Sequence, residues 1–565
     1  MTRSRTYRIG SGWILCVAAF LFACNTTSGV VLMVIDTETD TETAGSLTTD
    51  SGTGEQTEDR SLLGMTMTGI ADWGTQFAFI DLMKQSREWY DWNASAETAY
   101  DLDENGWVRS LATGQTAGTV FLTVESAPVS FDKVIVSYDG EGTIEYDWGA
   151  TKIDGESAPG RDVVQIGEGS HLLRITETNP DNYLKNIAIV PEALEPNHQN
   201  GELFNPVWLN KLKGLGTIRL SDWMNINDNL DAEWSDVPTL SSRLWIDGRM
   251  PYAAMIKLAN QLHANPWFPI PFQATDDYVR HLAALLRDTL DSDLTAHIEY
   301  TQHPWKTATR QFAYTDAGGR ARWGDVDDAY MQWHAMRTAV ICDIFKTEVF
   351  AEAPNRVYCI QSVPLTSPAL SEAALMCPYY TAETGAAPCY SHGIDAVSVS
   401  VFIYGCLNEE AFIEEMRAWF TEDDGGMQKG IEQLTDGRHL TSCETDAVHT
   451  AQKFEEIGTL ATSYGLEMVA FEAGSHVTAA ETAYQEDSEV IDFHIALNRN
   501  DGMYSVYQSL FNAWQHANGG LFIHYVDIAY PGKHGSFGAL EYLTQETSPK
   551  WRALMEFKDT FRTGG

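Results

Sequence analysis

The sequence predicts an α/β fold: a (β/α)8 TIM-type barrel with a β-sandwich domain inserted after its first strand–helix unit. Three observations carry this. Short apolar runs with the length of buried strands alternate with amphipathic helical stretches over residues 193–565, the reading of a parallel sheet wrapped in helices. Seven strands counted there, with one near Met65, make the eight of a closed barrel. Between residues 99 and 192 the pattern changes to short alternating runs separated by Gly, Asp, Pro and Asn turns, as in a sandwich.

Residues 1–23 read as an export signal. Arg3, Arg5 and Arg8 precede an apolar run over 13–22 that is short for a membrane span. It ends in Leu21-Phe22-Ala23-Cys24, which resembles the bacterial lipoprotein signal and implies lipidation of Cys24. Residues 24–61 form a tether. From Asp36 onward they are Thr-, Asp-, Glu- and Gly-rich and cannot bury enough surface to offset ordering entropy. Together these place the folded part outside the cytoplasm, touching a membrane only through its lipid anchor.

Residues 62–98 supply the first strand, over 65–73, and a helix over 77–89 with Phe79, Leu82, Met83 and Trp89 on one face. Sandwich strands are expected at 119–124, 133–138, 142–148, 162–166 and 172–176. The remaining barrel strands are expected at 217–223, 267–271, 295–300, 356–363, 396–403, 466–471 and 521–526. Helices over 252–264, 276–289, 329–347, 409–421 and 447–464 fall between most of them.

Composition excludes several function classes. The 565 residues carry a formal net charge of −42, a field that repels phosphate backbones, so nucleic acid is excluded as a partner. Uncharged ligands such as polysaccharides meet no such penalty. The 17 Trp, 23 Tyr and 23 Phe could stack on sugar rings, although large cores use the same residues. Beyond Cys16 and Cys24 there are six cysteines, which allow 15 pairings. Cys377 with Cys389, flanking a Pro/Gly/Ala-rich loop, is the first candidate pair and Cys406 with Cys443 the second. Cys342 and Cys359 fit buried free thiols equally well. With no Cys/His spacing of the zinc type, neither metal nor cofactor is expected.

Candidate chemistry lies at the strand ends. The second barrel strand ends Arg219-Leu220-Ser221-Asp222-Trp223, with Arg219 inside the barrel and in need of a carboxylate. In the fourth, Glu299, Thr301 and His303 step up one face toward the rim, followed by Trp305. The seventh ends Phe471-Glu472-Ala473-Gly474, where a carboxylate at a strand terminus is costly unless hydrogen-bonded or functional. The eighth adds His524. Trp73, Trp223 and Trp305 are candidate sugar platforms, with core packing the commoner fate of any Trp.

These segments resemble secreted bacterial proteins usually labelled cellulose-binding, whose barrel is similar to clan-A glycoside hydrolases. Gly69, Asp72, Trp73, Phe79, Asp81, Lys84, Arg87 and Trp89 match the pattern of the first unit, with Gly74 where Ser is usual. Arg219, Asp222 and Trp223 match the second strand. Leu258 through Gln261, Asn265-Pro266-Trp267, Pro271 and Asp276-Asp277-Tyr278 match further on, and Phe471 through Gly474 match a Tyr-Glu-Gly-Gly-like motif.

The resemblance implies a retaining site in which Glu472 attacks the sugar and Gln302 stands where an amide contacts it; Arg219, Asp222, Trp223, Asp72, Trp73, Trp305 and His524 are the further candidate sugar contacts. It also exposes a departure. Where the group reads Glu-Tyr-Ser-Asn-Glu-Val-Trp, this chain reads Glu299-Tyr300-Thr301-Gln302-His303-Pro304-Trp305. The usual acid/base Glu is His303. Glu299, about 13 Å deeper at about 3.3 Å per residue, cannot replace it. Retaining hydrolysis needs two carboxyl groups about 5–5.5 Å apart. Two functions follow: a glycoside hydrolase with Glu472 as nucleophile and His303 as a compromised proton donor, or a glycan-binding lipoprotein that no longer cuts.

Overall fold

The computed structural model describes residues 60–92, 99–124, 128–480 and 482–562. The leader, Cys24 and the tether up to residue 59 lie outside the described residues.

β1 (Leu63–Thr66) is the first barrel strand. The inserted region follows as β2 (Asp101–Leu102), β3 (Val108–Ser110), β4 (Ala117–Val124), β5 (Lys133–Asp139), β6 (Gly142–Lys152), β7 (Arg161–Thr178) and β8 (Lys185–Pro191). The barrel resumes with β9 (Thr217–Arg219), β10 (Asn265–Ile270), β11 (Ala296–Tyr300), β12 (Val357–Ser362), β13 (Ile394–Ile403), β14 (Glu467–Ser475) and β15 (Gly519–Tyr525).

β1 and β9 through β15 close into an eight-stranded parallel barrel, with β1 paired to both β15 and β9. Buried on both faces, these strands read as nearly unbroken apolar runs, which is why the sequence places all eight. Helices run between them. Asp276–Thr289 starts where Thr275 accepts a hydrogen bond from Tyr278 N and turns Tyr278, Val279, Leu282, Ala283 and Leu286 into the core.

The expected helix over 77–89 is not formed; only one 3-10 turn, Leu82–Gln85, appears. Its apolar residues are buried as expected, but the backbone partners are elsewhere. Ile80 N bonds Leu203 O, Arg87 N bonds Val120 O, and Tyr90 exchanges bonds with Gly118. An apolar spacing of three and four fits a helix, but these groups are taken up by β4 and by Leu203 shortly before the helix Pro206–Leu212. The helix that leads into β9 is Pro206–Leu212, so the insertion directly follows the first strand and the segment packed beneath it.

The inserted strands form sheets of their own: β2 with β3, and a five-stranded sheet of β4, β7, β5 and β8 with β6 paired to β7. The strands expected at 162–166 and 172–176 are one strand, β7, running through Gly167 and Gly169. Both candidate disulfides are present, Cys377–Cys389 and Cys406–Cys443, while Cys342 and Cys359 are free and buried.

Candidate functional site

The barrel interior holds two polar layers. The lower is built on Glu299 in β11, which is fully buried, as is Arg219 at the end of β9. Arg219 Nη2 donates to Glu299 Oε2 at 2.9 Å and to Gln302 Oε1 at 2.8 Å, and Nη1 donates to Ser221 Oγ at 2.9 Å. Glu299 also accepts from Trp267 Nε1 at 3.0 Å, from Ser398 Oγ at 3.2 Å and from Ser362 Oγ. The guanidinium lies over the rings of Phe471 and Trp267, 5.0 and 5.5 Å from their centroids. A buried charge is tolerable only when paired and hydrogen-bonded, and both oxygens of Glu299 are taken in this way.

The upper layer is at the C-terminal mouth. Glu472 bonds Nε2 of His303 directly through Oε1, and Ser400 Oγ lies at 3.5 Å from the same oxygen. Burial pushes this carboxyl up. The charge and hydrogen bond of His303, with Lys306 and Arg219, overcome that and hold it down at about 2, so it is ionised at neutral pH. A register shift aims the side chain. Val399 pairs with Ala470, yet Ser400 pairs with Glu472, which leaves Phe471 as an extra residue in β14. Such bulges re-aim side chains: Phe471 reaches both His303 and Arg219, and Glu472 reaches His303. Gly474 follows at φ +126°, and a Cβ there would lie 2.8 Å from the Tyr507 hydroxyl and 3.1 Å from the His524 ring. On the facing side the alternation of β11 stops at Tyr300. Thr301 and His303 take left-handed φ values of 50° and 47°, conformations that non-glycine residues adopt chiefly where the surroundings enforce them.

Above this pair opens a cavity of about 350 Å³, lined among others by Trp305, Lys306, Phe402, Tyr404 and Lys453. Glu472 is 7% exposed and His303 also reaches this lining. The volume suits a small ligand or one sugar unit of a chain. Trp305 stands edge-on to His303, ring centroids 5.6 Å apart.

Beside the cavity residues, Asp222 takes the Tyr525 hydroxyl on Oδ2 at 3.0 Å and the Ser221 hydroxyl on Oδ1 at 3.2 Å. Burial, with the Glu472 charge adding to it, pushes the Asp222 carboxyl up to about 6 against the pull of Tyr525 and Arg219. Two carboxyl groups are thus pushed to opposite ends of the acid range.

The other candidates are dispersed. Gln302 is spent on Arg219 and on Asn227, its Nε2 donating at 3.0 Å. Trp223 is a correction to the platform expectation. The strand ends at Arg219, and the Trp223 ring turns into the core against Trp208 and Phe204, with Nε1 donating to Thr68 O at 2.9 Å. His524 is likewise enclosed, its Nε2 3.0 Å from the Tyr507 hydroxyl, and burial lowers its imidazole to about 3. Asp72 and Trp73 lie at a different cleft, lined by Trp73, Arg87 and Thr123. Sequence reasoning overlooked Lys306 and Tyr404, which come from loops, Phe402 near the end of β13, and Lys453 on the helix Ala447–Ser463, since no motif set them apart from their neighbours.

Among the described residues, His263, Asp291 and Asp293 bring possible metal-ligand atoms within 4.8 Å of one another. That corner already holds a cation, since Arg60 Nη2 bonds Asp293 Oδ2 at 3.1 Å.

No family model and no curated protein matches the chain. Solved structures similar to it include a family 5 xyloglucanase from Paenibacillus pabuli, at 10% identity over 63% of this chain and 90% of that one, TM-score 0.33. The CBM22-1 and GH10 modules of endo-1,4-β-D-xylanase 10B from Clostridium thermocellum, complexed with xylohexaose, match at 8% identity over 86% and 97%, TM-score 0.37. A GH5-4 broad-specificity endoglucanase from an uncultured bacterium matches at 12% identity over 62% and 82%, TM-score 0.31.

Proposed function

We propose that the protein holds an uncharged polysaccharide, cellulose or a related glycan, across the barrel mouth and does not hydrolyse it by the two-carboxylate retaining route. The observation that carries this reading is the direct bond between Glu472 and His303. A retaining pair works from either side of the scissile bond, with about 5–5.5 Å between carboxyl groups. Here the residue at the proton-donor position is an imidazole lying on the carboxylate itself, which leaves no gap for a glycosidic oxygen. The pair instead offers a fixed acceptor edge for sugar hydroxyls, beside the aromatic wall of Trp305, Phe402 and Tyr404. The net charge of −42 favours an uncharged ligand.

A second reading is a slow hydrolase with Glu472 as nucleophile. It is favoured by one observation, that Glu472 is held ionised at about 2 as an attacking carboxylate must be. Prolonged incubation of the full chain and of Glu472→Gln with soluble cellulose derivatives, xyloglucan and xylan separates the two. Binding without reducing-end release supports the first; release that Glu472→Gln abolishes supports the second.

Export and anchoring belong to the same proposal. The pattern ending at Cys24 and the acidic Thr-rich stretch after it suit a lipid-anchored protein on a solvated leash. Mass spectrometry of the mature N-terminus tests this: a diacylglyceryl mass on Cys24 supports it, and an unmodified Cys24 rejects it.

A further inference from the structure

Trp73 faces a cleft of its own, with Asp72 buried behind its lining residues Arg87 and Thr123. It measures about 460 Å³ and lies where the loop after β1 meets β4 and the Tyr530-Pro531 turn that follows β15. Two aromatic side chains stand in its lining with free surface: Trp73 is 60% exposed and Tyr530 40%. Trp73, Trp92 and Trp148 are the most exposed tryptophans among the described residues, and all three sit on the inserted sheet or on the segment packed beneath it. Within the cleft, the open indole of Trp73 and the ring of Tyr530 leave two aromatic surfaces free for contact.

The polar part of the cleft is preorganised. Asp72 is almost fully buried and receives Arg87 through two bonds, Nε to Oδ1 at 2.8 Å and Nη2 to Oδ2 at 2.9 Å, with Thr123 Oγ1 on Oδ2 at 2.6 Å. This fork holds the guanidinium 5.6 Å from the centroid of the Trp73 ring. Among the described residues the hydrogen bonds of the Arg87 side chain run through Nε and Nη2 to Asp72, and Nη1 stays on a half-exposed side chain lining the cleft. The arrangement selects a ligand class. The guanidinium charge is neutralised by Asp72, so no free cation recruits an anion, and the field of the chain repels one. What remains is an aromatic face, a second ring and a fixed N–H donor, the complement of a pyranose with one apolar face and a rim of hydroxyls.

We propose that this cleft is a second carbohydrate-binding site, taking a neutral glycan segment with a sugar ring against Trp73 and hydroxyls on Arg87, independently of the barrel mouth. The test is affinity electrophoresis of the full chain in gels cast with hydroxyethylcellulose, xyloglucan, glucomannan or arabinoxylan. At least one polymer should retard the wild type. Trp73→Ala should weaken that retardation tenfold or more, Trp73→Phe should retain part of it, and Tyr530→Ala should weaken it less. Because Trp73 is largely exposed, the Ala variant should unfold at the wild-type temperature, which excludes misfolding as the cause. Glu472→Gln separates this site from the mouth: if the barrel reading alone fails, Glu472→Gln migrates as wild type while Trp73→Ala still loses retardation. Retardation of Trp73→Ala and Tyr530→Ala equal to wild type in every gel, or no retardation of the wild type by any polymer, overturns the proposal.

Discussion

Two carboxylates inside one barrel have opposite situations. Glu299 on the floor is fully buried and accepts four kinds of bond, from Arg219, Trp267, Ser362 and Ser398. Glu472 at the mouth has one strong partner, His303, and one weak one, Ser400, and borders an open cavity. A carboxylate whose lone pairs are all taken by protein can only hold the fold together. One with capacity left beside a cavity can meet a ligand. The same contrast separates Trp223, sunk among Phe204 and Trp208, from Trp305 on the cavity wall.

The largest effect that could break this comparison is on the floor. Arg219→Ala strands a buried Glu299 charge and should destabilise the protein by about 3–5 kcal/mol in urea unfolding. A loss below about 1 kcal/mol would mean the floor pair is dispensable. At the mouth, Glu472→Gln gives up only a charged hydrogen bond, so its loss at pH 7 should be smaller, about 1.5–3 kcal/mol.

The pH dependence sharpens this. Glu472 titrates near 2 when folded, below its unfolded value of about 4.3. Its stabilisation is therefore complete above pH 4.3 and lost as pH falls toward 2. Wild-type stability should fall steeply in that window and Glu472→Gln should fall less, which chemical denaturation at stepped pH would record.

Asp222 has the opposite sign. Its folded value, about 6, lies above the unfolded one of about 3.9, so the folded protein binds the extra proton and stability drops as pH rises between them. Asp222→Asn should remove that drop and be more stable than wild type at pH 7 by up to about 3 kcal/mol, with no gain at pH 4. A variant less stable at both pH values would show that the Tyr525 bond, not the buried charge, dominates at Asp222.

Most of the barrel was legible because buried parallel strands and capped amphipathic helices each leave a distinct period. β13 and the helix Asp276–Thr289 are examples. The segment over 77–89 was misread because its apolar spacing is compatible with a helix, while its backbone partners lie more than a hundred residues away in Leu203 and nearer by in Val120 and Gly118. In the site, alternation placed Glu299 on the inner face, where it lies, whereas β11 ends at Tyr300 and His303 reaches the mouth through a left-handed turn that alternation does not describe. It could not foresee that β9 stops at Arg219 and sends Trp223 into the core, nor that a bulge at Phe471 turns Glu472 toward His303. Nothing in the sequence joined Asp72 to Arg87 as one fork, because that pairing depends on the segment lying extended against β4.

The most direct test of the account is calorimetric titration of the full chain and of Glu472→Gln with a neutral oligosaccharide series, run alongside a product assay on the same samples. The account predicts saturable binding that Trp305→Ala and Glu472→Gln both weaken, with the sugar recovered intact. Shortened oligosaccharides from the wild type and none from Glu472→Gln would contradict it.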